Sequence, residues 1–595
     1  MTLRALAGLT GLNLLVLAVG AAVLYGLHGW RSWTDLIRLA GLAYLLGVAS
    51  VTSLLTLALV AGIPFGWPVI GLSCGALLSI GVLFGSRRRG TRRMSARWAL
   101  PGLTALGAVW LAAIVVYFEA LFRSARLAPL ADWDTWRCWT LRAEAIFHHD
   151  GLDQAVFSSP TCPGYPPGLS VLEASAFHAM GSVDVVTLHV QFWFLAAGFV
   201  AALAGLLAPS VRQSILLPFL LLALVLPSVT ERATDGKADL VLAYLTAVGA
   251  VLLLLWLEDG QAWRLPAVTI LLAGALLTKR EGLLLVGFVI AAALAASWRE
   301  RRRAWPRLLA CALGAVALSL PWRIWLAVED LRSGAPPGGY LDLLEHADRA
   351  FPSLRLVVRT FLDFDLWLLA VPLALAAAGL ALLAQARRHA VFVLVFAGVS
   401  VLGCTWAIWS EPALEITQDY GLNPVVRLVG GPVLVLLALT PLVLEQALRP
   451  ALADGRESRV AAGVSRIARV GRGSALPWAV VLVAALAYPA SMLAGVSSLR
   501  LPGGAPSFPS VSECVPALVD GARVRVVVGY AMTYAEADAL RLRAQPVLGE
   551  TEVEQDGCGR LRVYVDDVPP AAGAELLGRS VAAELSPTLE GDPDG

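Results

Sequence analysis

The sequence predicts an all-α polytopic membrane protein with a small α/β domain at its C-terminal end. Three observations carry that reading. Of 595 residues, 58% are hydrophobic and only 15% charged, with a mean hydropathy of +0.71; so few charges cannot cover the surface of a soluble chain of this length. Apolar runs of about 20 residues, each long enough to cross hydrocarbon, recur along the chain. After residue 497 those runs stop and a more polar composition takes over. The net charge of +2 comes with no basic patch interleaved with aromatics, so nucleic acid is not an expected partner and the lipid bilayer is. The 19 Trp suit interfacial belts, where an amphipathic ring sits at headgroup depth.

The predicted spans lie near 5–27, 36–62, 65–86, 98–122, 183–207, 213–230, 239–257, 265–279, 282–298, 307–327, 366–385, 390–409, 428–447 and 476–495, about 14 in all. The first run, Ala5 to Leu27, is too long for the apolar core of a secretory signal and lacks a small-residue cleavage site, so it reads as a span. Three divisions follow: extra N-terminal transmembrane helices over 1–97, a transmembrane core over 98–497 with external loops 123–182, 328–365 and 410–427, and a soluble domain over 498–595 with a disordered tail from Pro587. Basic segments at 87–93, 298–303, 386–389 and 448–472 are assigned to the cytoplasm by the positive-inside rule. Counting spans between them puts 123–182, 231–238, 279–281, 328–365 and 410–427 on the opposite side, together with Met1 and the C-terminal domain.

Within loop 123–182, Trp136, Trp139, Ala143 and Ile146 recur at helical spacing, which predicts a short helix lying on the membrane surface. Pro166 and Pro167 open a second helix that stops at Gly181. In the C-terminal domain, 523–530 and 561–565 read as strands and Tyr534 to Ala544 as a helix. Cys138 and Cys162 share one external loop, and Cys514 and Cys558 share the C-terminal domain. Each pair is a disulfide candidate in an oxidising compartment, with free thiols as the alternative.

The candidate chemistry lies in charges at the mouths of spans. Asp132 and Asp134 follow a long apolar run and precede the surface helix, so each could cap that helix or act as a general base near a low-dielectric boundary. Lys237 and Asp239 open one span, Lys279, Arg280 and Glu281 occupy a turn too tight to escape far into water, and Arg427 begins a late span. Ionisable groups at that depth are costly and usually face a polar cavity; the alternative is interfacial snorkelling. All fall on one predicted side of the membrane. Cations and carboxylates gathered on one face suit an anionic lipid substrate, with Lys and Arg on phosphate and a carboxylate taking a proton. His148 and His149 read as solvated.

The order of these features resembles the GT-C class of glycosyltransferases, multi-span enzymes that use polyprenyl-phosphate sugars and include protein O-mannosyltransferases and aminoarabinose transferases. D-W-D-T-W-R-C-W-T-L-R-A-E-A-I-F resembles the family's first external loop, and Y-P-P-G-L-S-V-L-E-A the proline-led helix that closes it. K-A-D-L-V-L-A, L-L-T-K-R-E-G-L-L and V-V-R-L-V-G-G-P resemble later span-edge motifs. The match runs in order over about 100–450 and leaves the first three spans and the C-terminal domain outside it. The family often carries a neutral residue where Asp132 stands, so Asp134 matches the catalytic acid better.

The resemblance implies that Asp134 activates an acceptor hydroxyl and that the sugar is transferred with inversion. Lys279, Arg280 and Arg427 would hold the departing polyprenyl phosphate, with Asp239, Glu281, Lys237 and Tyr165 as further substrate-binding candidates. It also implies an acceptor that is a cell-envelope glycan, lipid or protein, and a multi-pass location in the plasma membrane with an extracytoplasmic active site. The resemblance fixes no cofactor and leaves a divalent cation on Asp132 and Asp134 open. The competing readings are a transporter or flippase of a lipid-linked saccharide, which would be expected to show internal span repeats that this sequence lacks, and a non-catalytic scaffold.

Overall fold

A computed structural model describes residues 2–30, 32–89, 102–127, 134–152, 154–157, 164–331, 342–410 and 423–453, with short stretches between 524 and 590. The chain opens with α1 (Leu3–His28), a short α2 (Trp33–Arg38), α3 (Ala40–Val60) and α4 (Trp67–Arg89). After α5 (Ala105–Leu127) come three short helices, α6 (Thr140–His149), α7 (Gln154–Phe157) and α8 (Gly168–Met180). The central run is α9 (Val185–Leu207), α10 (Gln213–Val225), α11 (Pro227–Arg232), α12 (Ala238–Asp259), α13 (Arg264–Thr278), α14 (Gly282–Ala296) and α15 (Arg301–Val328). It is followed by α16 (Ala350–Phe361), α17 (Phe364–Trp367), α18 (Ala370–Leu383), α19 (Arg387–Ser410) and α20 (Asn423–Ala453).

Among the described residues, nine helices are long and apolar enough to cross a membrane: α1, α3, α4, α5, α9, α12, α15, α19 and α20. The chain is a helical multi-pass membrane protein. Four further predicted spans are shorter apolar helices, α10, α13, α14 and α18. The predicted run over 213–230 is broken because Leu226 is held extended before Pro227, which starts α11. The predicted span 476–495 lies outside the described residues.

α12 is the axis of the bundle. Its apolar window is 94% buried, against 28% for α5 and α15, which turn most of their surface outward. It packs on α9, α13 and α20. The N-terminal helices over 1–97 pack on the later ones: α3 on α9 and α13, and α1 on α8. α1 and α3 cross with their backbones nearly touching. A Cβ on Gly20 would meet the Ala43 carbonyl oxygen at 1.7 Å, and one on Gly47 would meet that of Val16 at 2.0 Å, as in membrane interfaces built on small residues. A buried polar knot ties the same helices to α9. The Tyr44 hydroxyl donates to Asn13 Oδ1 at 2.6 Å, and Asn13 Nδ2 donates to Gln191 Oε1 at 2.8 Å.

The helix expected on the membrane surface is instead packed into the protein. Trp139, Ala143 and Ile146 are buried, and α6 lies against α8. The apolar stripe that suggested a lipid contact meets another apolar helix. His148 and His149 are exposed, as the sequence suggests.

In the C-terminal segment, β1 (Val524–Ala531), β2 (Glu552–Gln555), β3 (Leu561–Val568) and β4 (Thr588–Glu590) form an antiparallel sheet in the order β2-β3-β1-β4. The two predicted strands correspond to β1 and β3, which pair with Val526 opposite Val565. Part of the tail expected to be disordered is ordered, since Thr588–Glu590 pairs along β1. Most of the helix expected over 534–544 lies outside the described residues.

Gly47→Leu is expected to lower the melting temperature in detergent, because overpacking at a backbone crossing costs about 1–3 kcal/mol or more. Gly11→Leu, earlier in α1 and away from the crossing, is the control: nothing lies within 4 Å of its Cβ position, and its melting temperature should stay near that of the wild type. Equal losses from both would refute the crossing as the cause.

Candidate active site

Helix geometry brings the predicted charges to one end of α12. Asp239 sits in the first turn of α12, where the helix dipole favours a carboxylate. Lys279 ends α13 with extended backbone, and Glu281 leads directly into α14. The apolar run stops there because three consecutive charged residues cannot continue into hydrocarbon. Gly282 permits the tight return: a Cβ there would meet the Ala275 carbonyl oxygen at 2.6 Å. Arg427 is the fifth residue of α20, close to the positive end of the helix dipole, where a cation needs a compensating carboxylate.

Two carboxylates supply it. Arg427 Nη2 and Nε donate to Asp239 Oδ2 at 3.0 and 3.2 Å, and its Nη1 pairs with Asp134 Oδ2. The other Asp239 oxygen accepts from Lys279 Nζ at 2.8 Å, and Lys279 also lies 3.2 Å from Glu281 Oε1. Burial alone would drive the Lys279 ammonium down, but Asp239 and Glu281 outweigh it and hold its pKa above the usual lysine range. Tyr165 completes the group. Its hydroxyl donates to Glu281 Oε1 at 3.3 Å, the Arg280 guanidinium lies 5.1 Å from its ring centroid, and Lys279 Nζ lies 6.0 Å from it. Burial, with Glu281 beside it, pushes the Tyr165 phenol up to about 12, so it stays a donor at neutral pH.

Asp134 does not cap the helix that follows it. It precedes a π-helical turn, Thr135–Trp139, makes no capping hydrogen bond and turns to Arg427 instead. Thr135 anchors that turn by donating to the Asp235 carbonyl, which fixes the start of the segment beside α12. Single π turns inside helices are frequent at functional positions because they re-aim side chains.

Of the sequence candidates, the structure gathers Asp134, Asp239, Lys279, Glu281, Arg427 and Tyr165, with Arg280 over the tyrosine. Lys237, itself buried, pairs instead with the half-buried Asp235 at 3.5 Å. Asp132, Cys162, Cys514 and Cys558 lie outside the described residues, while Cys138 is buried and disulfide-bonded. Sequence reasoning missed Arg232, which acts on Asp239 and Asp235 through space and is itself lowered by burial; its signal was an arginine just beyond an apolar run, seven residues before Asp239. It also missed Arg142. That guanidinium, pushed down to about 9 by burial, donates to the Tyr165 carbonyl at 3.1 Å and lies over the Phe157 ring.

The described residues do not fit a divalent cation. No group of three His, Cys, Asp or Glu side chains arranged to hold a metal ion is found among them, and Asp134 pairs with Arg427, whose charge would repel a metal at the same oxygen. The cleft beside Asp239, Lys279, Glu281 and Arg427 has a volume of about 20 Å³, little more than a water occupies.

Two outcomes are expected. Asp239→Asn strips Lys279 and Arg427 of a shared buried counter-charge and should cost about 3–5 kcal/mol, read as a large fall in melting temperature; a fall no greater than that from a surface Asp→Asn change would show that the cluster does not stabilise the fold. Glu173, fully buried in α8, has its carboxyl held well above the usual range by burial, opposed by the Thr140 hydroxyl. The folded state therefore binds a proton that the unfolded state gives up, and stability falls as pH rises above the unfolded value near 4.3. Glu173→Gln should raise the melting temperature at pH 7, with the gain shrinking toward pH 4; a gain independent of pH would rule out this origin. Comparison of the chain with protein-family models, with curated proteins and with solved structures finds no match.

Proposed function

We propose that this protein is a membrane glycosyltransferase of the GT-C kind, moving a sugar from a polyprenyl-phosphate donor to an acceptor hydroxyl on the extracytoplasmic face of the plasma membrane. One observation carries the reading: Asp134, Asp239, Lys279 and Arg427 come from four distant segments and meet at one end of a central span. A lipid phosphate at the membrane edge needs fixed cations in a poorly solvated place, and a reacting hydroxyl needs a carboxylate beside it.

The residues divide the work. The acceptor oxygen forms the new bond to the sugar C1 while its proton passes to Asp134. The C1–O bond to phosphate breaks on the opposite face, its electron pair stays on the phosphate oxygen, and configuration inverts. Lys279 and Arg427 balance the charge that grows on that phosphate. Asp239 holds both cations in place between turnovers and remains between them during the step. Because Arg427 is paired with Asp134 beforehand, the donor phosphate takes over Arg427 and releases Asp134 for the acceptor. Donor then precedes acceptor. The small cleft supports this order, since it admits no phosphate until a pair opens. The transferred sugar and the acceptor class are set by surfaces that this cluster does not include.

The test is Asp134→Asn in protein reconstituted with pooled polyprenyl-phosphate sugars, following release of sugar from lipid. The change keeps size and removes the base. A folded variant that loses about 10²-fold or more in turnover, within the range for general-base catalysis, supports the role of Asp134. Turnover equal to wild type removes Asp134 from the chemistry. If wild type releases no sugar but moves the lipid across the bilayer, the protein is a transporter.

A further inference from the structure

We propose that the arginines at the start of α15 bind an anionic phospholipid of the bilayer, with Arg302 on its phosphate and its chains along the outward face of the helix. α15 starts at the end of the bundle opposite the ion-pair cluster. α14 leaves the cluster at Gly282 and ends at Ala296. The turn that follows is tied to the far end of α12: Glu300 pairs with Arg388, and Arg388 also donates to the Leu257 carbonyl. The positive-inside rule assigns this end to the cytoplasm, and the cytoplasmic leaflet carries the anionic lipids.

Arg299, Arg301, Arg302 and Arg303 are all exposed there. Among the described residues no carboxylate pairs with any of them; Glu300, the acid within this run, is taken by Arg388. The first turn of α15 holds no acidic residue, so Arg301, Arg302 and Arg303 stand on the positive end of a helix dipole with no carboxylate to offset them. The Arg301 guanidinium lies 5.3 Å from the Trp298 ring centroid, and Trp298 is 57% exposed, which suits an indole at headgroup depth.

Below the arginines the helix faces outward, with only 28% of its apolar window buried. Leu309 and Leu313 are 45% and 69% exposed. They follow Arg302 by two and three helical turns, so they lie on its face. From Arg302 to Leu313 is about 16 Å along the axis, close to the hydrocarbon depth of one leaflet, about 15 Å. A cation above an apolar stripe one leaflet long has the outline of a single phospholipid.

The charges select the headgroup. A zwitterionic headgroup brings an ammonium into a group that has only cations. A free phosphate satisfies the guanidiniums and makes no use of the leucines. An anionic headgroup such as phosphoglycerol brings negative charge alone, and guanidinium N–H groups match its phosphate oxygens two at a time.

Native mass spectrometry of the full chain tests this, with phosphatidylglycerol, phosphatidylcholine of the same chains, and inorganic phosphate as probes. Wild type is expected to retain phosphatidylglycerol more tightly than phosphatidylcholine. Arg302→Gln should weaken retention of phosphatidylglycerol about fivefold, the worth of one cation at an anionic surface. Changing Arg301, Arg302 and Arg303 together to Gln should weaken it about tenfold or more and remove the preference. All three side chains are exposed, so the melting temperature without lipid should stay near that of the wild type. Arg4→Gln is the control for diffuse charge: Arg4 is exposed at the start of α1, which reaches this end only at His28 beside Trp263, and its loss should leave retention unchanged. The proposal is overturned if wild type holds both lipids alike, if the triple change retains phosphatidylglycerol as wild type does, if Arg4→Gln weakens retention as much as Arg302→Gln, or if inorganic phosphate at equal concentration displaces the lipid. Binding is read without turnover, so failure here leaves the glycosyltransferase reading untouched.

Discussion

Asp239 shared between Lys279 and Arg427 is the interaction on which this end of the molecule depends. It joins α12, α13 and α20 through one carboxylate, using both oxygens. In a poorly solvated place none of the three charges is tolerable alone. Arg427 also opposes its own helix dipole, so its position is stable only because Asp239 and Asp134 are there. The fold and the candidate chemistry therefore share the same atoms. Asp134 is drawn into place by Arg427, and the π-helical turn that follows it is held by Thr135 on the loop ahead of α12.

The rest of the bundle keeps that cluster rigid. α12 is wrapped by α9, α13 and α20, and its nearly complete burial leaves no room for it to slide or tilt. α3 and α1 reach it through α9 and α13. Their close crossing at Gly20 and Gly47 is the kind of contact that membrane helices need, because hydrocarbon solvates leucine as well as another helix does. The Asn13–Tyr44–Gln191 knot adds direction to an otherwise featureless apolar surface.

Much of this was legible in the sequence, for physical reasons that also mark where legibility ended. Apolar runs of span length read directly as α1, α3, α9, α12 and α20, since lipid forces every backbone group into a helix. The charged residues at span mouths were legible because they are too costly to be incidental, and five of them meet as one group. The sequence could not show that α6 buries its stripe against α8, because an apolar stripe looks the same whether it faces lipid or protein. It could not distinguish Lys237 from Lys279, two lysines at span mouths, because the distinction lies in which carboxylate each reaches: Asp235 for one, Asp239 for the other. The cap reading of Asp134 failed for the same reason. A carboxylate ahead of a helix has a local partner in the backbone, and only the folded chain offers Arg427 as a stronger one.

The pairing in the cluster bears on how such a site can work at all. Two cations, Lys279 and Arg427, meet three carboxylates, Asp134, Asp239 and Glu281. A bare anion approaching that set gains nothing while every cation is satisfied. It gains only by replacing a carboxylate, and the replaceable one is that least held by other groups. Asp239 is fixed by two cations, and Glu281 is braced by Lys279 and the Tyr165 hydroxyl. Asp134 comes from a re-aimed turn and pairs with Arg427. In the proposed reaction an incoming phosphate displaces Asp134 from Arg427. In that proposal the carboxylate so freed takes the proton, so binding the leaving group and arming the base would be a single event.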